Sequence, residues 1–233
     1  MHDKTLVLFD IDGTLLNSGG CGRAATGLAM QEVFDTIGLL DSISFAGKTD
    51  WQILLEALEP AGVPREEVQG RLEVYNTTVA RVISEIIADF PLKPCPGAPE
   101  IVAALRTSPA ALVGLVTGNM VGIVTPKLRA AGFDPADFKV GAFGSEGWER
   151  SMLPPLALRR AREYSGNNFA PRQVVIIGDT PGDVSCAQSI KARTVAVATG
   201  PFNVDQLRAC QPDHVFKNMA DTDSFLAALY QND

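Results

Sequence analysis

At 233 residues the chain can form one large domain or one domain carrying a smaller one, and a hydrophobic fraction of 46% supplies a substantial core. Against 20 Lys and Arg stand 27 Asp and Glu, for a net charge of −7 with no block of five like charges. Bulk electrostatics therefore exclude nucleic acid and anionic membrane as expected partners. Cys21, Cys95, Cys186 and Cys210 stand far apart with no CxxC pair and no clustered His, which argues against a zinc site or a disulfide framework.

In chain order, the first apolar run, Leu6 to Phe9, predicts a strand. It is too short for a signal peptide or a membrane span, so a cytoplasmic protein is expected. About a hundred residues then pass before the next strand, far beyond an ordinary βα crossover. That interval predicts helices over Cys21–Ile37, Thr49–Leu58 and Arg65–Ile87. Thr49 and Gln52 offer a capping box, and Pro64 suits a first helical turn. The stretch FPLKPCPGAP, Phe90 to Pro99, reads as a return linker.

Beyond it, short apolar runs alternate with helical segments. Strands are predicted at Ala111–Val116, Lys139–Phe143, Val174–Ile177, Val195–Ala198 and Val215–Phe216, and helices at Ala98–Arg106, Met120–Ala131, Pro154–Tyr164 and Gly182–Ser189. Pro126 falls inside one of these helices and predicts a kink or a late start. Strands apolar on both faces and alternating with helices predict an α/β class: a doubly wound, Rossmann-like parallel sheet. The expected division is a core of residues 1–16 and 92–233, with an all-helical insertion of residues 17–91.

Three strand ends are polar: FDIDGT (Phe9 to Thr14), LVTGN (Leu115 to Asn119) and IIGDTPGD (Ile176 to Asp183). In open α/β sheets, ligands bind beyond the carboxyl ends of the strands, so all three can converge. Asp10 and Asp12, two residues apart in an extended chain, point to the same side. Two carboxylates that close repel, which points to a cation at that place.

In this order and spacing the three motifs resemble the haloacid dehalogenase superfamily, in its phosphatase branch with a helical cap, of the phosphoglycolate phosphatase type. The resemblance implies a phosphatase acting on a small phosphorylated metabolite through an aspartyl-phosphate. Asp10 is then the nucleophile and Asp12 the general acid and base. Gly13 lets the backbone turn close to the phosphate, and Thr14 follows it. Thr117 donates its hydroxyl to the phosphoryl group beside the amides of Gly118 and Asn119. The implied cofactor is Mg²⁺, held by the Asp10 carboxylate, the Asp12 carbonyl and Asp179, with Asp183 either a direct or an outer partner.

The family's further cation is usually a lysine, and here no lysine occurs between Lys139 and Lys191. Arg150 is expected in that role, since a guanidinium can bridge a phosphate and a carboxylate. Arg159, Arg160 and Arg162 are expected on a helix surface. Lys48, in FAGKTD, is a candidate for a second anionic group of the substrate, Arg23 another, and Cys21 is expected at the surface or in packing of the insertion. A dehalogenase is disfavoured because Asp12 is present. A phosphomutase of the β-phosphoglucomutase kind, a phosphonate hydrolase using Lys48, and a non-enzymatic phosphate-sensing module stay open. Oligomeric state is not legible in the sequence.

Overall fold

The first strand, β1 (Thr5–Phe9), is fully buried along its length, and the reason is that both of its faces are covered by helices. The structure, a computed structural model, describes residues 4–231; His2, which the sequence gives no role, lies outside the described residues. After β1 come β2 (Leu16–Asn17), α1 (Cys21–Phe34), α2 (Asp50–Leu58), α3 (Arg65–Gly70), α4 (Leu72–Ile86) and β3 (Lys93–Pro94). The remainder alternates: α5 (Ala98–Thr107), β4 (Ala111–Val116), α6 (Val121–Ala130), β5 (Val140–Ala142), α7 (Leu153–Ser165), β6 (Val174–Gly178), α8 (Pro181–Ala187), β7 (Arg193–Val197), α9 (Val204–Arg208), β8 (His214–Phe216) and α10 (Thr222–Tyr230).

Six strands form one parallel sheet in the order β5-β4-β1-β6-β7-β8, the α/β Rossmann-like class that the alternation predicts. Alternate side chains of β1 enter two different cores. Val7 and Phe9 pack with Ile101 and Leu105 of α5 and Phe225 of α10. Leu6 and Leu8 pack with Leu153 and Leu158 of α7 and Cys186 of α8. The chain turns in opposite directions from β1, toward β4 on one side and β6 on the other, so the carboxyl ends of these three strands border one crevice.

Helices α1 to α4 have a core of their own, built on Ala25, Met30, Leu54, Tyr75, Val79 and Ile83, and Met120 and Ile123 of the sheet region enter it. Cys21 is fully buried in it, the packing alternative of the two left open for it. Where the chain leaves and returns, Leu16 and Asn17 pair antiparallel with Pro94 and Lys93, which places β3 inside the expected linker.

Two expected elements differ from the observed ones, and two observed helices were not expected. Helix α1 stops at Phe34 because Asp35 takes a left-handed conformation (φ 58°), a common helix end. The single helix expected over residues 65–87 is two, broken after Gly70 where Arg71 has φ −102° and ψ 4°; a glycine weakens helix propagation by about 1 kcal/mol. Helices α9 and α10 have no counterpart among the sequence-based elements, although Asn203 and Asp221 cap them by accepting hydrogen bonds from the Gln206 and Ser224 amides. Helix α6 carries Pro126 in its interior. Among the described residues, no helix is long and apolar enough to cross a membrane.

Candidate active site

The Asp10 amide still donates to the Ile177 carbonyl at 2.9 Å, which fixes Asp10 at the end of β1 and leaves its carboxylate over the crevice, 6% exposed. The chain then turns sharply. Gly13 has φ +79°, and a Cβ there would lie 2.3 Å from Asp179 Oδ2, so the turn needs glycine twice, for conformation and for space. The Thr14 hydroxyl donates to Asp179 Oδ1 at 3.1 Å, and the Thr199 hydroxyl donates to the Gly13 carbonyl. Thr14 thus reaches the site through Asp179.

Asp179 follows β6, and Asp183 sits in the first turn of α8, whose cap is Thr180. The Asp183 amide donates to Thr180 Oγ1, while Asp183 Oδ2 accepts from the Thr180 amide at 3.0 Å and its hydroxyl at 2.6 Å. The other oxygen, Oδ1, accepts from Arg150 Nη2 at 2.5 Å, and the same Nη2 lies 2.8 Å from Asp10 Oδ1. Arg150 is buried and touches the first and third motifs at once, in the place where the sequence calls for a cation.

Asp10, Asp179 and Asp183 offer oxygens within 4.8 Å of one another. Burial pushes the Asp10 carboxyl up to about 6 against the opposing pull of Arg150, with the Asp183 charge adding to the rise. Asp179 is raised well above the usual carboxylate range by burial and by the charges of Asp183 and Asp10. Three buried carboxylates around one guanidinium are under-neutralised, and a hard divalent cation with oxygen ligands fits that donor set. Both Asp183 oxygens are already engaged, which leaves Asp10 and Asp179 as the better placed carboxylate ligands.

Asp12 faces the other way. Its Oδ2 accepts from Lys127 Nζ at 2.7 Å and from Asn119 Nδ2 at 2.8 Å. Burial alone pushes its carboxyl up, but the Lys127 charge and the hydrogen bonds from Lys127 and Asn119 outweigh that and hold it below its usual value. Thr117 is fully buried behind Asn119, accepting from the Asn119 amide and side chain at 3.3 and 2.8 Å. Its own O–H remains to be donated.

The insertion closes on this second motif. The Asp50 amide donates to the Gly118 carbonyl at 2.7 Å, and the Met120 amide donates to Asp50 Oδ2 at 2.7 Å. Thr49 caps α2 by accepting from the Gln52 amide at 3.1 Å and donates to the Trp148 carbonyl at 3.1 Å. The Gln52 side chain donates to Glu56, so only half of the expected capping box forms.

A cavity of about 370 Å³ lies between sheet ends and insertion, and Asp10, Asp12, Asn119, Lys127 and Arg150 reach it. Gly13, Gly118 and Asp179 line it too, whereas Thr14, Thr117 and Asp183 stand behind its wall. Lys48 lines it from the insertion but is ion-paired with Glu56. Arg23 also reaches it, yet its guanidinium donates to the Leu40 and Ile43 carbonyls at 2.8 and 2.6 Å and lies 4.1 Å over the Phe45 ring. Arg160, expected on a helix surface, is half-buried against Glu146 and the Gly141 carbonyl.

Sequence reasoning missed Lys127 and Asp50. Lys127 is four residues after buried Ile123 and adjacent to buried Leu128; a lysine on the inward stripe of a helix is a signal in itself. Asp50 resembles any acid in the first turn of a helix, which is why it passes unnoticed.

The profile of the haloacid dehalogenase-like hydrolases matches residues 4–191, so the chain belongs to that family of enzymes. A phosphoglycolate phosphatase from Shigella boydii is 24% identical over 234 residues, spanning 92% of this chain and 89% of the relative, in agreement with the phosphatase branch that the motifs indicate. A hydrolase from Pseudomonas syringae shares the fold with a TM-score of 0.69 at 18% identity, over 97% of this chain and 98% of the other. CbbY from Rhodobacter sphaeroides, solved in complex with phosphate, gives a TM-score of 0.66 at 18% identity, over 94% and 96%.

Proposed function

We propose that this hydrolase is a Mg²⁺-dependent phosphatase of small phosphorylated metabolites that works through an aspartyl-phosphate. The observation that carries this is the division of labour within DID: Asp10 belongs to the buried acidic cluster with Asp179 and Asp183, while Asp12, on the same cavity, is held by Lys127 and Asn119. Asp10 attacks phosphorus, its Oδ–P bond forming as the ester P–O bond breaks. The Asp12 carboxyl, protonated in the substrate complex, gives its proton to the departing alkoxide. Asp12 then takes a proton from water as the water oxygen attacks phosphorus, which frees Asp10 and releases inorganic phosphate.

Arg150 orients the Asp10 carboxylate and adds positive charge where the phosphoryl oxygens sit. The Gly118 amide serves the same oxygens, while Thr117, fully buried behind the cavity wall, holds Asn119 in place. Asp10, Asp179 and the Asp12 carbonyl would hold the divalent cation, with Asp183 acting from outside through Arg150 and Thr180. When bound, the cation neutralises phosphate oxygens so that a carboxylate can approach them. Residues 17–91 are read as a cap over a core of 1–16 and 92–233; the separate helical core and the β2–β3 pairing at its root support this. The cap restricts the substrate to a small ester and shields the site from bulk water. Pairing of Lys48 with Glu56 leaves it poorly placed for a Schiff base and suited at most to a polar contact with substrate.

The test is Mg²⁺-dependent phosphate release from a panel of phosphorylated metabolites, with wild type, Asp10→Asn and Asp12→Ala compared. Release that survives Asp10→Asn would remove the covalent route. No release by wild type from any ester would favour a phosphate-binding module.

A further inference from the structure

The Lys127 side chain is 2% exposed, yet it sits at the wall of the cavity rather than in an apolar core. It donates to Asp12 Oδ2 at 2.7 Å and to Asn119 Oδ1 at 2.6 Å, while Asn119 Nδ2 donates to the same Asp12 Oδ2 at 2.8 Å and to Thr117 Oγ1 at 2.8 Å. One carboxylate oxygen of Asp12 thus receives two strong donors. The other, Oδ1, is shielded from solvent, and the Ser18 hydroxyl adds to the groups that hold this carboxyl low. The carboxylate as a whole still faces the cavity, its side chain 37% exposed.

Space for the ammonium is made on the opposing side by the insertion. A Cβ on Gly22 of α1 would come within 3.0 Å of Lys127 Nζ. The residues beside the ammonium are therefore drawn from the first motif, the second motif and the insertion together. A lysine that only filled a gap between helices would not be aimed at the one carboxylate that handles protons.

We infer that Lys127, acting with Asn119, is a positioning residue for Asp12: the two donors fix the orientation in which this carboxyl delivers its proton to the leaving alkoxide. The inference rests on the phosphatase reading above. The proton that leaves the Asp12 carboxyl goes to the alkoxide oxygen as the P–O ester bond breaks. Pinning removes rotation of the carboxylate from the step, and misplacement of a proton donor by about 1 Å can cost on the order of a hundredfold.

The consequence depends on the leaving group. An alkyl phosphate needs its alkoxide protonated as it departs, whereas 4-nitrophenolate is stable enough to leave unaided. The experiment compares kcat/KM for an alkyl phosphate and for 4-nitrophenyl phosphate, in the Mg²⁺-loaded enzyme, for wild type, Lys127→Met and Lys127→Ala. The expected result is a fall of about tenfold or more in the alkyl-to-aryl ratio for both variants. Partial recovery of that ratio is expected when ethylammonium is added to Lys127→Ala. An equal loss on both esters, or no recovery by ethylammonium in a variant that melts like wild type, would overturn the assignment and make Lys127 a structural ion pair. If Lys127→Met unfolds, Asn119→Ala, which removes the second donor to Oδ2, must lower the same ratio, and an unchanged ratio there also overturns it. Wild type inactive on both esters would instead refute the phosphatase reading itself.

Discussion

Asp10 and Asp12 are separated by one residue, yet their surroundings push them in opposite directions. Around Asp10, three buried carboxylates crowd together and two of them, Asp10 and Asp183, share the Arg150 guanidinium, and burial raises the Asp10 carboxyl to about 6. Around Asp12, Lys127 and Asn119 converge on one oxygen, and its carboxyl is held low. The difference puts two environments at one strand end: an anion-crowded pocket whose oxygens suit a metal, and a cation-braced carboxylate that faces the cavity. Neither set of neighbours is local in sequence.

Four measurements can break or sharpen that contrast. The largest effect is expected on the Asp10 side, where Asp10→Asn should cut turnover on the order of a thousandfold or more, read as steady-state phosphate release. Retained turnover would mean that the crowded side is not where the bond is made. Arg150→Met comes next, because it strips the cation from buried Asp10 and Asp183. A loss of about 3–5 kcal/mol in urea unfolding is expected, with turnover down about a hundredfold; near-normal stability would show that the carboxylates are neutralised some other way.

On the Asp12 side, buried Asp50 is pushed up to about 6 by desolvation, opposed by Lys127 and by the Met120 amide. Below its ordinary value of 3.8, folded and unfolded chains both hold the proton. As pH rises toward about 6 the unfolded chain releases it first, so this carboxyl costs the fold increasingly and the cost is complete above about 6. The side-chain amide of an Asp50→Asn variant cannot titrate and keeps an acceptor for the Met120 amide. Relative to wild type the variant should therefore gain about 3 kcal/mol between about pH 4 and pH 7, measured by urea unfolding at each pH. A difference flat with pH would deny that Asp50 is desolvated.

The smallest effect is that of the metal on the resting fold. Mg²⁺ at about a hundred times its dissociation constant should stabilise wild type by about 2.7 kcal/mol, seen as a raised melting temperature. Asp179→Asn should lose that increment. An equal rise in the variant would place the cation outside the acidic cluster.

The sequence by itself determined the sheet, the reaction class and the outline of the site. Apolar runs with β-branched residues recur at strand length, and DxDGT, TGN and GDxxxD each stand at a strand end, so the local pattern carries both fold and chemistry. Arg150 stood out as the one cation just before a Pro-Pro helix start, and it lies buried between Asp10 and Asp183. What remained hidden depends on which side chains meet across the chain. Lys127 is 115 residues from Asp12, and its place on an inward helix stripe does not name its partner, while Asp50 looks like a helix-start acid until its clasp with Gly118 and Met120 is seen. The break at Arg71 and helices α9 and α10 also escaped, because their signals are short capping and glycine effects of about 1 kcal/mol that tertiary packing settles. Periodicity and motif spacing are properties of neighbours along the chain, whereas the partner of a buried charge is fixed only when the tertiary structure removes water and leaves one side chain within reach.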